Sequence, residues 1–119
     1  MERKMVKDRV KVGLIQMSTT TDPSANLSKA VERAEAAAKK GAQIVCLQEL
    51  FRSRYFCQSE DQRNFKLAEA IPGPTTDVLG AVAREKEIVI VASLFERRSA
   101  GIYHNTAVII DADGAIAGT

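Results

Sequence analysis

The sequence predicts an α/β fold whose mixed sheet starts with a βαβ unit, and three observations carry that expectation. An apolar, β-branched run from Val10 to Met17 is followed by an amphipathic stretch reaching Lys39-Lys40, and then by a second apolar run, Ala42 to Leu47. Strand, helix and strand at this spacing form a βαβ unit, expected to be right-handed. The run Ala42 to Leu47 is nearly unbroken, as in a parallel strand buried on both faces. Two later runs, Ile88 to Phe95 and Ile102 to Ile110, are separated only by Arg97 to Gly101, a length that suits an antiparallel hairpin.

Each element has a local cause. The first strand stops at Ser18-Thr19-Thr20-Thr21. Asp22 then offers an N-cap oxygen, and Pro23 takes the first helical position, where a missing N–H costs nothing. Leu27, Val31, Ala34 and Ala38 recur on one face of this helix, and Gly41 supplies the left-handed residue that ends it. Phe51 to Gln62 has no clean period, and a short helix is expected around 64–70. Ile71-Pro72-Gly73-Pro74 forces a turn. Thr75 or Thr76 is expected to cap a second helix that presents Leu79, Val82 and Ala83 to the core and ends near Glu87. Asp111-Ala112-Asp113-Gly114 carries a hairpin signal, and Ala115 to Thr119 begins a further strand. The expected organisation is a charged leader over 1–9 and an incomplete domain over 10–119.

Composition narrows the function classes. Seventeen Lys+Arg against fifteen Asp+Glu leave a net charge of +2, without the basic excess of a nucleic-acid binder. Hydrophobic residues at 45% and charged residues at 27% suit an ordinary core-forming domain. No stretch has the length and apolarity of a signal peptide or a membrane span, so a cytoplasmic location and no membrane partner are expected. Residues 18–23 read Ser-Thr-Thr-Thr-Asp-Pro, which lacks the glycine-rich phosphate cradle of a dinucleotide or nucleotide site. One histidine and two scattered cysteines do not make a zinc ligand set.

Ligands of open α/β sheets collect beyond the carboxyl ends of the strands, and there the sequence offers Gln16 after the first strand and Gln48-Glu49 after the second. A carboxylate directly following a buried run can act as a general base if low-dielectric surroundings raise its pKa. Glu49 can equally cap a helix or pair with Arg52 or Arg54. Cys46 lies inside a strand, where a thiol behaves as a small hydrophobe. Cys57 follows Tyr55-Phe56 in a loop, and His104 is placed in a strand with one face lining the core.

The run Val10 to Met17, Asn26-Leu27 opening a helix, and Gly41-Ala42-Gln43-Ile44-Val45-Cys46-Leu47-Gln48-Glu49-Leu50-Phe51 resemble the N-terminal part of the nitrilase, or carbon–nitrogen hydrolase, superfamily. Tyr55-Phe56-Cys57, Ala70 to Thr76, Ala92-Ser93-Leu94-Phe95-Glu96, Tyr103-His104-Asn105-Thr106-Ala107 and Asp111 to Gly114 are similar to the N-carbamoylputrescine amidase branch. The resemblance implies the N-terminal part of an αββα sandwich and a Glu-Lys-Cys triad. Its glutamate maps onto Glu49, whereas neither its lysine nor its nucleophilic cysteine maps onto any residue here. The implied reaction is hydrolysis of a small ureido or amide substrate without metal or organic cofactor, in a protein that forms homo-oligomers. β-Ureidopropionase-like and ω-amidase-like specificities stay open, as does a non-catalytic product that only self-associates. Tyr55 and Phe56 are candidates for the substrate channel, with ordinary loop packing as the alternative. These 119 residues alone are expected to be inactive.

Overall fold

The computed structural model describes residues 9–56 and 62–119, so Cys57 and all of the charged leader except Arg9 lie outside the described residues. Five strands form one sheet in the order of the chain: β1 (Val12–Leu14), β2 (Ile44–Cys46), β3 (Val89–Ser99), β4 (Ile102–Ile110) and β5 (Ile116–Gly118). β1, β2 and β3 pair in parallel, while β4 and β5 add antiparallel, giving the mixed sheet that the sequence predicts.

Helix α1 (Pro23–Lys39) starts as expected, with the Asp22 side chain accepting from the Ser24 N–H and Pro23 in the first turn. Its contact face includes the expected Leu27, Val31, Ala34 and Ala38, all packed on or in the core, with its centre shifted. Asn26, Ala30 and Ala34 are buried at its centre, with Leu27, Val31 and Ala38 only partly buried. The reason is close approach: a Cβ on Gly13 of β1 would stand 3.0 Å from the Ala37 Cβ, so small residues face the sheet and the larger ones flank them.

Helix α2 (Pro74–Lys86) begins earlier than a Thr75 or Thr76 cap implies. Gly73 is the N-cap, and the Thr76 hydroxyl reaches back to accept from the Gly73 N–H at 2.8 Å, one half of a capping box. Thr75 accepts instead from Arg52. The expected core face of α2 holds, since Leu79, Val82 and Ala83 are buried. The short helix expected at 64–70 is a single 3-10 segment, Gln62–Leu67.

Strand alternation divides the sheet into two unlike faces. Val45, Ile90, Ala92, Leu94, Val108 and Ile110 are buried against the helices and make the core with Phe51 and Leu79. Val12, Leu14, Cys46, Ser93, Phe95, Tyr103, Asn105 and Ile109 alternate onto the other face, where Leu14 remains 78% exposed. Cys46 is therefore only half-buried, not enclosed within the core. His104 is exposed and lines no core, although it alternates onto the helix-side face opposite Glu96. The hairpin is also tighter than expected: β3 continues through Arg97 to Ser99, leaving Ala100 and Gly101 as the turn.

Candidate active site

β2 ends at Cys46, and the chain then leaves the sheet over residues tied to β1, β3 and β4. The Leu47 N–H donates to the Val91 carbonyl at 2.9 Å, extending the ladder by one bond. The Gln48 side-chain oxygen accepts from the Met17 N–H at 2.8 Å, tying the end of β2 to the exit from β1. Glu49 therefore lies beyond the carboxyl end of a parallel strand, where strand logic places a ligand-handling group. The carboxylate is exposed and not enclosed by low-dielectric walls.

What fixes Glu49 is hydrogen bonding. The Asn105 carboxamide, on β4, donates to Glu49 Oε1 at 2.6 Å. The Ser93 hydroxyl, on β3, donates to Asn105 Oδ1 at 3.0 Å and accepts from the Leu50 N–H at 3.1 Å. Leu50 holds φ +50°, in the left-handed region, with its side chain buried. The pairing with Arg52 left open from sequence does not form, since Arg52 turns to Glu69 at 3.3 Å, to the Thr75 hydroxyl at 2.7 Å and to the Pro23 carbonyl at 3.2 Å.

Aromatic rings stand beside this network on the same face. Phe95 is directly opposite Asn105 in the β3–β4 register. Its ring lies 4.9 Å from Phe56 and 5.6 Å from Tyr103, and Phe65 stacks on Tyr103 at 4.5 Å. Phe56 thus joins an aromatic group next to the Glu49 circuit, while Tyr55 is half exposed. Where β2 leaves the sheet, Glu69 takes its place along β3, with its N–H on the Phe95 carbonyl and its carbonyl on the Arg97 N–H. A cavity of about 250 Å³ lies between these segments, lined by Leu50, Ser53, Glu69, Ser93 and Phe95 among others. Among the described residues, no three of His, Cys, Asp and Glu cluster as a metal site, and no helix is long and apolar enough to cross a membrane.

Ser93 and Asn105 were not singled out as site residues by sequence reasoning. The available signal was that each is a polar residue in a predicted strand, alternating onto the same face.

A mixed α/β sheet with a carboxylate beyond the carboxyl end of a parallel strand places a polar group where ligands of such sheets collect. The carbon-nitrogen hydrolase family model matches residues 11–119, and the chain belongs to that family. It is 40% identical over 106 residues to the N-carbamoylputrescine amidase of Solanum lycopersicum, covering 88% of this chain and 35% of that protein. It is also 36% identical over 110 residues to the citrullinase of Francisella tularensis, covering 92% of this chain and 38% of that protein. The crystal structure of a carbon-nitrogen hydrolase from Helicobacter pylori G27 superposes with a TM-score of 0.85 at 36% identity, over 92% of this chain and 38% of that one. The chain thus spans about a third of the length of these curated relatives.

Proposed function

We propose that this chain carries the general-base part of an amidohydrolase acting on the terminal ureido group of a linear substrate, N-carbamoylputrescine in the first instance. The observation that supports it is the Glu49 carboxylate held by Asn105 beyond the end of β2, in a chain similar to an N-carbamoylputrescine amidase and a citrullinase. The substrates in those two names share one chemical feature, a terminal ureido group on an aliphatic chain.

In this reading Glu49 takes the proton of a cysteine thiol, and the thiolate adds to the ureido carbonyl while a lysine stabilises the oxyanion. The C–N bond to the terminal nitrogen breaks and ammonia leaves with a proton. Water then cleaves the resulting S-thiocarbamate, regenerating the thiol, and the carbamate released breaks down to the free amine and carbon dioxide. The lysine and cysteine of this scheme do not map onto any of the 119 residues. Glu49 supplies the base, and the aromatic group around Phe56, Phe95 and Tyr103 offers an apolar wall for a four-carbon chain. The same reading places the protein in polyamine synthesis, in the cytoplasm and in a homo-oligomer.

The test is ammonia release from N-carbamoylputrescine, citrulline and an ω-amide by the polypeptide expressed from the complete reading frame, beside the 119 residues alone. Turnover of a ureido compound that Glu49→Gln abolishes is the expected result for the former, and none for the latter. Turnover by the 119 residues alone, or turnover indifferent to Glu49→Gln, would sink the scheme.

A further inference from the structure

We propose that Ser93 and Asn105 are positioning residues for the Glu49 carboxylate, acting through a hydrogen-bond circuit that starts at the Leu50 N–H and returns to the side chain of residue 49. The proposal rests on the reading of Glu49 as a base, and deepens it by naming what orients that base.

The direction of the circuit follows from donor and acceptor counting. Ser93 Oγ accepts from the Leu50 N–H at 3.1 Å and donates its hydroxyl hydrogen to Asn105 Oδ1 at 3.0 Å. With Oδ1 occupied in this way, the end of the amide that faces Glu49 is the NH2 group, which donates to Oε1 at 2.6 Å. A flipped amide would set two oxygens against each other at Glu49, so the contact with the carboxylate selects the orientation. The circuit thus selects the arrangement in which a charged carboxylate is accepted and its orientation fixed.

The backbone shares in the arrangement. Glu49 precedes Leu50, whose φ of +50° is unusual for a residue with a Cβ. Two anchors hold it there: the N–H is bound by Ser93, and the side chain is only 3% exposed. Ser93 and Asn105 stand on neighbouring antiparallel strands, diagonal across one register step, so the two partners of the loop residue are set by the most extensively paired part of the sheet. Residues 49 and 50 lie in a connection that has left the sheet, and an exposed carboxylate there would otherwise sample several rotamers. Holding a reacting group within a fraction of an ångström is worth about 100-fold in rate.

The circuit is read by NMR on the chain itself. In the wild type, the Asn105 side-chain NH2 resonances should lie apart from those of a solvated amide, and Glu49→Gln should move them towards that position. Ser93→Ala should broaden or double the Asn105 signals and shift the Leu50 amide, and Ser93→Thr, which keeps the hydroxyl, should restore both. NH2 resonances that Glu49→Gln leaves in place would overturn the proposal.

Activity of the complete polypeptide supplies the second arm. Asn105→Ala should lower kcat by about 100-fold with KM nearly unchanged, and Ser93→Thr should retain most of the rate. A wild-type rate in Asn105→Ala would overturn positioning. Absence of turnover by the wild type would instead defeat the hydrolase reading, and the circuit would then stand or fall on the NMR result.

Discussion

Thr106 donates its hydroxyl to a Glu96 carboxylate oxygen 2.7 Å away, at the helix-covered face of the β3–β4 ribbon. This bond is the main reason the Glu96 carboxyl is held below its ordinary value of 4.5; burial opposes it, and the Arg98 hydrogen bond, the Arg98 charge and the His104 charge reinforce it. A carboxyl lowered on folding stabilises the fold above its unfolded pKa. That contribution is lost as pH falls from about 4.5 through the lowered folded value. Thr106→Val should therefore cost about 2 kcal/mol at pH 7, as for a hydrogen bond to a charged group. It should also flatten the loss of stability below pH 4.5. Urea unfolding of both proteins at pH 7 and pH 3 measures the two effects, and a parallel loss at both pH values would contradict the assignment.

Arg52 ties three segments together through the Pro23 carbonyl, the Thr75 hydroxyl and Glu69. The Glu69 side chain is 17% exposed, and its Oε1 has no hydrogen-bond partner among the described residues. Removing the arginine leaves a largely buried carboxylate without its cation. Arg52→Ala should cost about 3 kcal/mol, and Arg52→Lys should recover less than half, because a single ammonium cannot span donors set in a planar fork. Thermal unfolding of the two variants gives the comparison.

Asn26 is the most buried polar residue of α1, at 1% exposed, and every side-chain bond it makes goes to a loop. Its oxygen accepts from the Thr20 N–H at 2.8 Å, and its amide donates to the carbonyls of Thr20 and Arg52 at 2.9 and 2.8 Å. Asn26→Leu keeps the branched shape, is larger and strands these partners, so a loss of about 3 kcal/mol is expected. Hydrogen exchange should show the Thr20 amide losing protection while the α2 amides keep theirs.

Gly80 and Gly114 bring α2 and the β4–β5 turn into backbone contact: a Cβ at position 80 would meet the Gly114 carbonyl oxygen at 2.7 Å. Gly80→Ala should destabilise the chain by about 2 kcal/mol through this overlap, even though alanine is the better helix former. A stabilised Gly80→Ala in a denaturant titration would refute the packing argument.

The sheet face away from α1 and α2 exposes Val12, Leu14 and Ile109, and no described α-helix covers it. The 119 residues by themselves should self-associate through this face. Sedimentation velocity should show species heavier than a monomer, with Leu14→Lys plus Ile109→Lys shifting the distribution towards the monomer. A wild-type chain that sediments as a monomer at high concentration would contradict this.

Much of the architecture was legible from local chemistry. Asp22-Pro23 started α1, and the apolar runs at Ile44 and Ile102 became strands. Leu79, Val82 and Ala83 faced the core as their spacing required. Such features depend on neighbours in the chain, which the sequence displays directly. The mapping of Glu49 to a position beyond a strand end belongs with them, because a strand's last residue is marked by the end of its apolar run.

Only the tertiary structure decided what surrounds Glu49. Whether it meets Arg52 or another partner depends on which strand lies alongside, and Asn105 is separated from it by 56 positions. The half-burial of Cys46 and the small-residue face of α1 were likewise settled by which sheet face the helices cover and how closely they approach. The period of a strand gives two faces without saying which is buried, and a polar residue in it shows no sign of its partner. Those choices are made by contacts between distant segments, and they turn a carboxylate at a strand end into an oriented one.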